Sequence, residues 1–287
     1  MSDLDDADRV TYRVEQTFRY DYDSPVTSVR QRLICVPRLH HGDQHRRRHR
    51  LSVHLADGPA VRVPRRSRHD RAGNSVLRVL VPSVSSSLEF RLVAELSRVR
   101  SEGPGRLPAT ALHDPLLLRP THLTTADDRV RDLARSALRG IAPLADPVAA
   151  VEAINHAVRR SLVYRPGATG VRTTAAEALA LGAGVCQDYA HVMLAVCRTA
   201  GIPARYVSGH LIGEGATHAW VETIVPAATG AVALAFDPCN DRRAGNAYIT
   251  VATGRDYADI PPTSGTYVGA PGGRLTSSQT VHVLDRA

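Results

Sequence analysis

From Val10 to Tyr22 apolar and polar side chains alternate. Val10, Tyr12, Val14, Phe18 and Tyr20 fall on one face, and Arg13, Glu15, Thr17 and Arg19 on the other. A period of two predicts a half-buried strand. Asp23-Ser24-Pro25 turns the chain after it. Further strand-like runs occur at Val29–Val36, Leu51–Leu55, Ser75–Val81 and Leu88–Leu96, with Gly, Pro and Asn between them. This spacing predicts an antiparallel, sandwich-like β-domain over residues 10–100. Residues 101–125 carry four prolines and little periodicity, and read as a linker.

The period changes at Ala126. Val130, Leu133, Ala134, Ala137, Leu138 and Ile141 recur at helical spacing. Asp146-Pro147 opens a second helix by the N-cap and first-turn proline rule. Thr174 to Glu177 has the capping-box pattern of a third. Gly184-Val185-Cys186 starts a fourth, and Gly201-Ile202-Pro203 ends it. Arg205–Ile212, His218–Val225 and Ala231–Asp237 then read as strands, with two more at Tyr248–Ala252 and Thr280–Leu284. The fold class is therefore α+β: a β-domain, the linker, a core over 126–242, and a strand-bearing tail over 243–287.

The chemistry sits in the core. Cys186 lies at a helix start, His218 begins one strand and Asp237 ends the next. A thiol acts as a nucleophile in its thiolate form. The free N–H groups and positive dipole end of a helix start favour that form and can also receive an oxyanion. An imidazole can hold the proton, and a carboxylate can fix its tautomer. His218 and Asp237 are 19 residues apart on strands joined by one tight turn, so they can be cross-strand neighbours.

Other readings of the reactive residues are weaker. Cys35 and Cys197 read as packing. A zinc site from Cys186, His191, His218 and Cys239 lacks paired ligands at metal spacing. His191 reads as a hydrogen-bonding or surface residue. No metal and no cofactor is expected.

Composition adds three points. The four cysteines show no CxxC spacing, and the acidic start has no apolar run after it. Both suit a cytoplasmic protein without a membrane span. The net charge of +8 is concentrated. Residues 30–71 hold twelve arginines against three acids, leaving the rest near neutral. Arg46-Arg47-Arg48-His49-Arg50 lacks interleaved aromatics, so a solvated loop between strands is the preferred reading over nucleic-acid binding. All 36 basic residues are arginine. No lysine of this chain can attack an acyl-enzyme of its own.

The segments Gly184-Val185-Cys186-Gln187-Asp188-Tyr189-Ala190-His191, Gly201-Ile202-Pro203-Ala204-Arg205-Tyr206-Val207-Ser208-Gly209-His210, His218-Ala219-Trp220-Val221-Glu222 and Phe236-Asp237-Pro238 resemble the bacterial transglutaminase-like cysteine peptidase family. Tyr12–Pro37 resembles the β-domain that precedes the core in these proteins, and Gly254–Pro262 resembles their tail. The resemblance implies a papain-like thiol fold, with Cys186 as nucleophile, His218 as base and acid, and Asp237 as orienter. Gln187, Trp220 and His210 are candidate substrate-binding residues. Cys239, where threonine is common, adds a second thiol.

The expected function is cysteine-dependent acyl transfer on an amide of a peptide or protein substrate, with hydrolysis favoured over amine transfer. A non-catalytic binding module of the same fold, and an RNA-associated protein using Arg46–Arg50, are the rival readings.

Overall fold

The computed structural model describes residues 2–56, 58–62, 65–143 and 145–287. Asp57, one of the three acids of the basic stretch, lies outside the described residues.

Among the described residues, six strands of five residues or more come first: β1 (Arg9–Asp21), β2 (Val26–Leu33), β3 (Gln44–Leu55), β4 (Arg65–His69), β5 (Ser75–Val84) and β6 (Ser87–Val99). In β1 the alternation holds: Val10, Tyr12, Val14 and Phe18 are buried, and Gln16 joins them. Four helices of seven residues or more follow: α1 (Asp128–Ala137), α2 (Pro147–Ser161), α3 (Ala175–Leu181) and α4 (Cys186–Thr199). The chain ends in β7 (Ala204–Leu211), β8 (His218–Pro226), β9 (Ala231–Asp237), β10 (Tyr248–Gly254), β11 (Thr263–Val268) and β12 (Arg274–Arg286).

Two antiparallel sheets form the first layer pair. One runs β12-β1-β6-β3, and the other β11-β2-β5-β4. Phe18, Leu51, Val53, Phe90 and Leu92 of the first sheet meet Val29, Leu33, Leu77, Val79 and Val81 of the second in one buried core. This is the packing of a β-sandwich, in which inward residues alternate with solvent-facing ones. Both edge strands β11 and β12 come from the end of the chain. The last strands thus return to the first domain, across the whole sequence.

The third sheet runs β9-β8-β7-β10 and carries the helices. Its central partner is α4, in which every residue from Asp188 to Arg198 is buried. A helix apolar nearly all round belongs at the centre of a core. Val192, Met193 and Val196 pack with Val130, Ile154 and Val158 of α1 and α2 and with Ala219 and Val221 of β8. The expected caps form. Asp146 accepts from the Ala149 N–H, and Thr174 and Glu177 exchange bonds at the start of α3. The protein is an α+β fold, with a sandwich-like domain ahead of a core in which α4 packs on the third sheet.

Two segments differ from expectation. The basic run is a strand, not a loop: Arg46–Arg50 lies inside β3, paired along β6. The outward residues Arg47, Arg48 and Arg50 are exposed. Arg48 makes a two-pronged bond to Glu95 at 2.6 and 2.8 Å. A register shift between Arg46 and Arg48 breaks the apolar alternation by which the strand would be recognised. The proline-rich stretch 101–125 is ordered against the third sheet. Arg106–Leu107 pairs with β9, and Leu107, Ala111, Leu112 and Leu117 cover Ile224, Ala231 and Ala233.

Candidate active site

Cys186 occupies the first position of α4. The turn before it is shaped by Asp188. Its Oδ2 accepts from the Val185 N–H at 2.7 Å and from the Thr169 hydroxyl at 2.6 Å. This satisfies one orphan donor of the helix start. Gly184 is required by the same carboxylate, because a Cβ there would lie 2.6 Å from both Cβ and Oδ2 of Asp188. The thiol itself is half-buried.

His218 opens β8 and Asp237 closes β9. The register pairs Val221 with Phe236. Continuing it by one step sets Asp237 level with Trp220, so His218 is its diagonal neighbour on the same face. His218 Nε2 lies 2.8 Å from Asp237 Oδ2. The other ring nitrogen, Nδ1, is 3.1 Å from Glu214 Oε2. The Cys186 thiol lies close enough to the imidazole to favour its charged form. Two carboxylates, one at each ring nitrogen, match an imidazolium with two N–H donors.

The electrostatics agree with that geometry. Burial disfavours a charged His218. The bond to Asp237, the contacts with Cys186 and Glu214, and the Asp237 charge outweigh burial and raise its pKa well above the ordinary value. Burial likewise pushes Asp237 up, but the bonds to His218, Tyr248 and Asn240 win, and its pKa is lowered.

Asp237 is fully buried and heavily tethered. Its Oδ2 also accepts from the Tyr248 hydroxyl at 2.6 Å and the Asn240 side-chain amide at 2.7 Å. Its Oδ1 accepts from the backbone N–H groups of Cys239 and Asn240, at 2.9 and 3.2 Å. Arg242 Nε in turn donates to the Tyr248 oxygen at 2.7 Å.

The other site expectations are redistributed. Gln187 stays partly exposed beside the thiol and reaches the Val171 carbonyl. Trp220 is 1% exposed and packs beneath the imidazole. Its ring stacks 6.3 Å from the His218 ring and meets Tyr248 edge-on at 5.3 Å. Gly209 gives it room, since a Cβ there would lie 2.5 Å from the indole. His210 lies in the interior as well. It is wholly buried, and its Nδ1 pairs with Gln279 Oε1 at 2.5 Å. Burial pulls its pKa down to about 4. His191 is buried too, with Nε2 accepting from the Tyr257 N–H. Among the described residues, no group of three or more His, Cys, Asp or Glu is placed to hold a metal ion. No described helix is long and apolar enough to cross a membrane.

Three site residues escaped the sequence reading. Glu214 has no motif around it beyond two flanking glycines. Tyr164 lies 22 residues before the thiol, on a short strand whose parallel partner is Ala183-Gly184. Tyr248 is too far from Asp237 in any local pattern. The only hint was that Tyr248 opens an expected strand.

Comparison with known proteins agrees with this architecture. Residues 134–232 match the transglutaminase-like superfamily, and residues 12–97 match the bacterial transglutaminase-like N-terminal region. An uncharacterized protein of Mycobacterium tuberculosis is 32% identical over 286 residues, covering 88% of this chain and 86% of its own. One from Mycobacterium leprae is 40% identical over 163 residues, covering 53% of this chain; the match spans 55% of that relative's length. Among solved structures, a candidate cysteine protease from Cytophaga hutchinsonii superposes with a TM-score of 0.74 at 21% identity, covering 96% of this chain and 91% of its own. The chain belongs to the transglutaminase-like superfamily, with the bacterial N-terminal region in front of the core.

Proposed function

We propose that this protein is a cysteine-dependent acyl-transfer enzyme, cleaving an amide or peptide bond through a thioester on Cys186. One observation carries the reading. The helix-start thiol lies near an imidazole whose far nitrogen is held on a buried carboxylate with five donors. Locking Nε2 on Asp237 leaves Nδ1 as the nitrogen that exchanges protons with the substrate.

The steps follow from the geometry. The Cys186 sulfur attacks the carbonyl carbon, and the developing oxyanion is received at the start of α4. The N–H groups of Cys186 and Gln187 lie there, in the first turn, where a helix offers no internal acceptor. The C–N bond breaks as His218 Nδ1 gives its proton to the leaving amine. The thioester remains; water attacks its carbonyl as His218 takes a proton from that water, the C–S bond breaks, the acid product leaves and the Cys186 sulfur is regenerated. Peptides or proteins are the proposed substrates, and hydrolysis is favoured because water needs no dedicated second site. Cys35, Cys186, Cys197 and Cys239 are all free thiols, which supports a reducing compartment.

The test runs hydrolysis and amine incorporation side by side on a panel of glutamine- and peptide-amide substrates, with Cys186→Ala as control. Product release without amine incorporation is the expected result. Amine incorporation above hydrolysis would make the protein a transglutaminase. No turnover, with Cys186 no more reactive than a model thiol, would make it a binding module.

A further inference from the structure

The mouth of the site carries two groups that the acyl-transfer reading leaves without a task. Glu214 lies on the turn between β7 and β8, 42% exposed, with Oε2 at 3.1 Å from His218 Nδ1. That is the nitrogen which must serve the thiol and the leaving group. Tyr164 is 54% exposed. Its strand pairs Tyr164 with Gly184, and the Arg165 N–H bonds the Gly184 carbonyl at 2.9 Å, two residues before the thiol. Tyr164 also lies within electrostatic reach of Cys186, Glu214 and His218. An exposed aromatic ring and an exposed carboxylate therefore flank the same thiol–imidazole pair.

The turn bearing Glu214 is anchored from the other domain. Gln279 of β12 donates its side-chain amide to the carbonyls of Glu214 and Ala216, while its oxygen pairs with buried His210. The backbone of the turn is thus tied to β12 and, through Gln279, to His210 of β7.

From this placement we infer that Glu214 and Tyr164 form a subsite for a protonated amine on the leaving-group side of the scissile amide. The inference rests on the acyl-transfer reading. A carboxylate 3.1 Å from Nδ1 competes for the charge and the proton that the leaving amine needs. A substrate ammonium pairing with Glu214 takes over that carboxylate and frees the Nδ1–H for the departing nitrogen. The Tyr164 face adds a cation–π contact to the same ammonium. The substrate class is a peptide amide whose amine portion bears a second, unblocked amino group.

Alkylation of Cys186 by reagents of different charge tests this without requiring turnover. Cationic 2-bromoethylamine, neutral iodoacetamide and anionic iodoacetate are compared, each rate normalised to that of the same reagent on a free model thiol. The wild type should favour the cationic reagent over the anionic one by about tenfold or more. In Glu214→Gln that ratio should fall to within about threefold of unity, and in Tyr164→Leu it should fall part of the way. A ratio unchanged in Glu214→Gln overturns the subsite and leaves the thiol reading standing. Failure of every reagent to label Cys186 overturns the thiol reading, and the subsite with it. In turnover, acetylating the second amine of a diamine-derived amide should lower kcat/KM about tenfold in the wild type and little in Glu214→Gln. Equal losses in both proteins count against the subsite.

Discussion

Tyr248 and His218 share one oxygen atom. The tyrosine hydroxyl donates to Asp237 Oδ2 at 2.6 Å, and His218 Nε2 reaches the same atom at 2.8 Å. The tyrosine therefore acts on the histidine through the carboxylate and is a positioning residue. Its bond helps to lower the Asp237 pKa. Tyr248→Phe should let that pKa rise, shifting the acid limb of the kcat/KM profile to higher pH. A fall of about three- to thirtyfold in kcat is expected, with KM little changed. An unmoved acid limb would reduce Tyr248 to a packing residue.

Removing the thiol should be decisive. Cys186→Ala is expected to cost at least about a thousandfold in turnover while the protein stays folded. His218→Ala should nearly match it, because proton transfer and the partner of the thiolate go together. Asp237→Asn should be milder by about ten- to a hundredfold, since it disturbs orientation and tautomer. Steady-state kinetics on any accepted substrate read this order. More than about a tenth of the activity left in Cys186→Ala rules out the assignment.

The buried ion pair makes stability depend on pH in a defined direction. The folded pKa of His218 is raised. Its stabilising contribution is thus fully present below the unfolded value, about 6.5, and is lost as pH rises through the folded one. Asp237 is lowered, so its contribution is present above the unfolded value of about 3.9 and is lost as pH falls through the folded one. Melting curves of wild type and His218→Ala should therefore differ most near pH 5 to 6, and the gap should narrow toward pH 9. A gap that widens with rising pH would contradict the pair.

Arg198 ties distant segments to the end of the central helix. Its guanidinium donates to the Thr124 hydroxyl at 2.6 Å and to the carbonyls of Leu117, Ala204 and Arg255. Burial lowers its pKa to about 10, and the charge is kept. Arg198→Ala strands several buried carbonyls, and a loss on the order of 2–4 kcal/mol is expected in urea unfolding. A loss under about 0.5 kcal/mol, the scale of a surface substitution, would show that the network is idle.

The arginine face of β3 should not matter for the chemistry. Arg47, Arg48 and Arg50 are exposed and belong to the first domain. Changing all three to glutamine should leave kcat on a small neutral substrate within about threefold. A drop confined to acidic protein substrates would instead make the face a docking surface.

Local patterns settled what a few neighbouring residues can settle. Alternation in β1 marked a strand with one buried face. Asp146, Thr174 and Gly184 marked helix starts, because caps and close approaches act within three or four residues. The Cys186, His218 and Asp237 motifs were legible for the same reason. Each sits at an element end whose local sequence is distinctive. What lay beyond that reach was invisible. The return of β11 and β12 to the first domain spans nearly the whole chain, and sheet pairing depends on which edges are left open once the rest has packed. The burial of His210 and Trp220 depends on Gln279, Gly209 and Tyr248, whose positions no periodicity links to them. Glu214 became part of the site only because the turn after β7 folds its carboxylate over the imidazole. The sequence by itself determined the elements marked by periodicity or a cap, and the reactive side chains, while the strand through Arg46–Arg50 and the pairing of Arg106–Leu107 escaped it. The tertiary structure alone decided which of those side chains meet, because contacts between distant segments are set by packing and not by spacing along the chain.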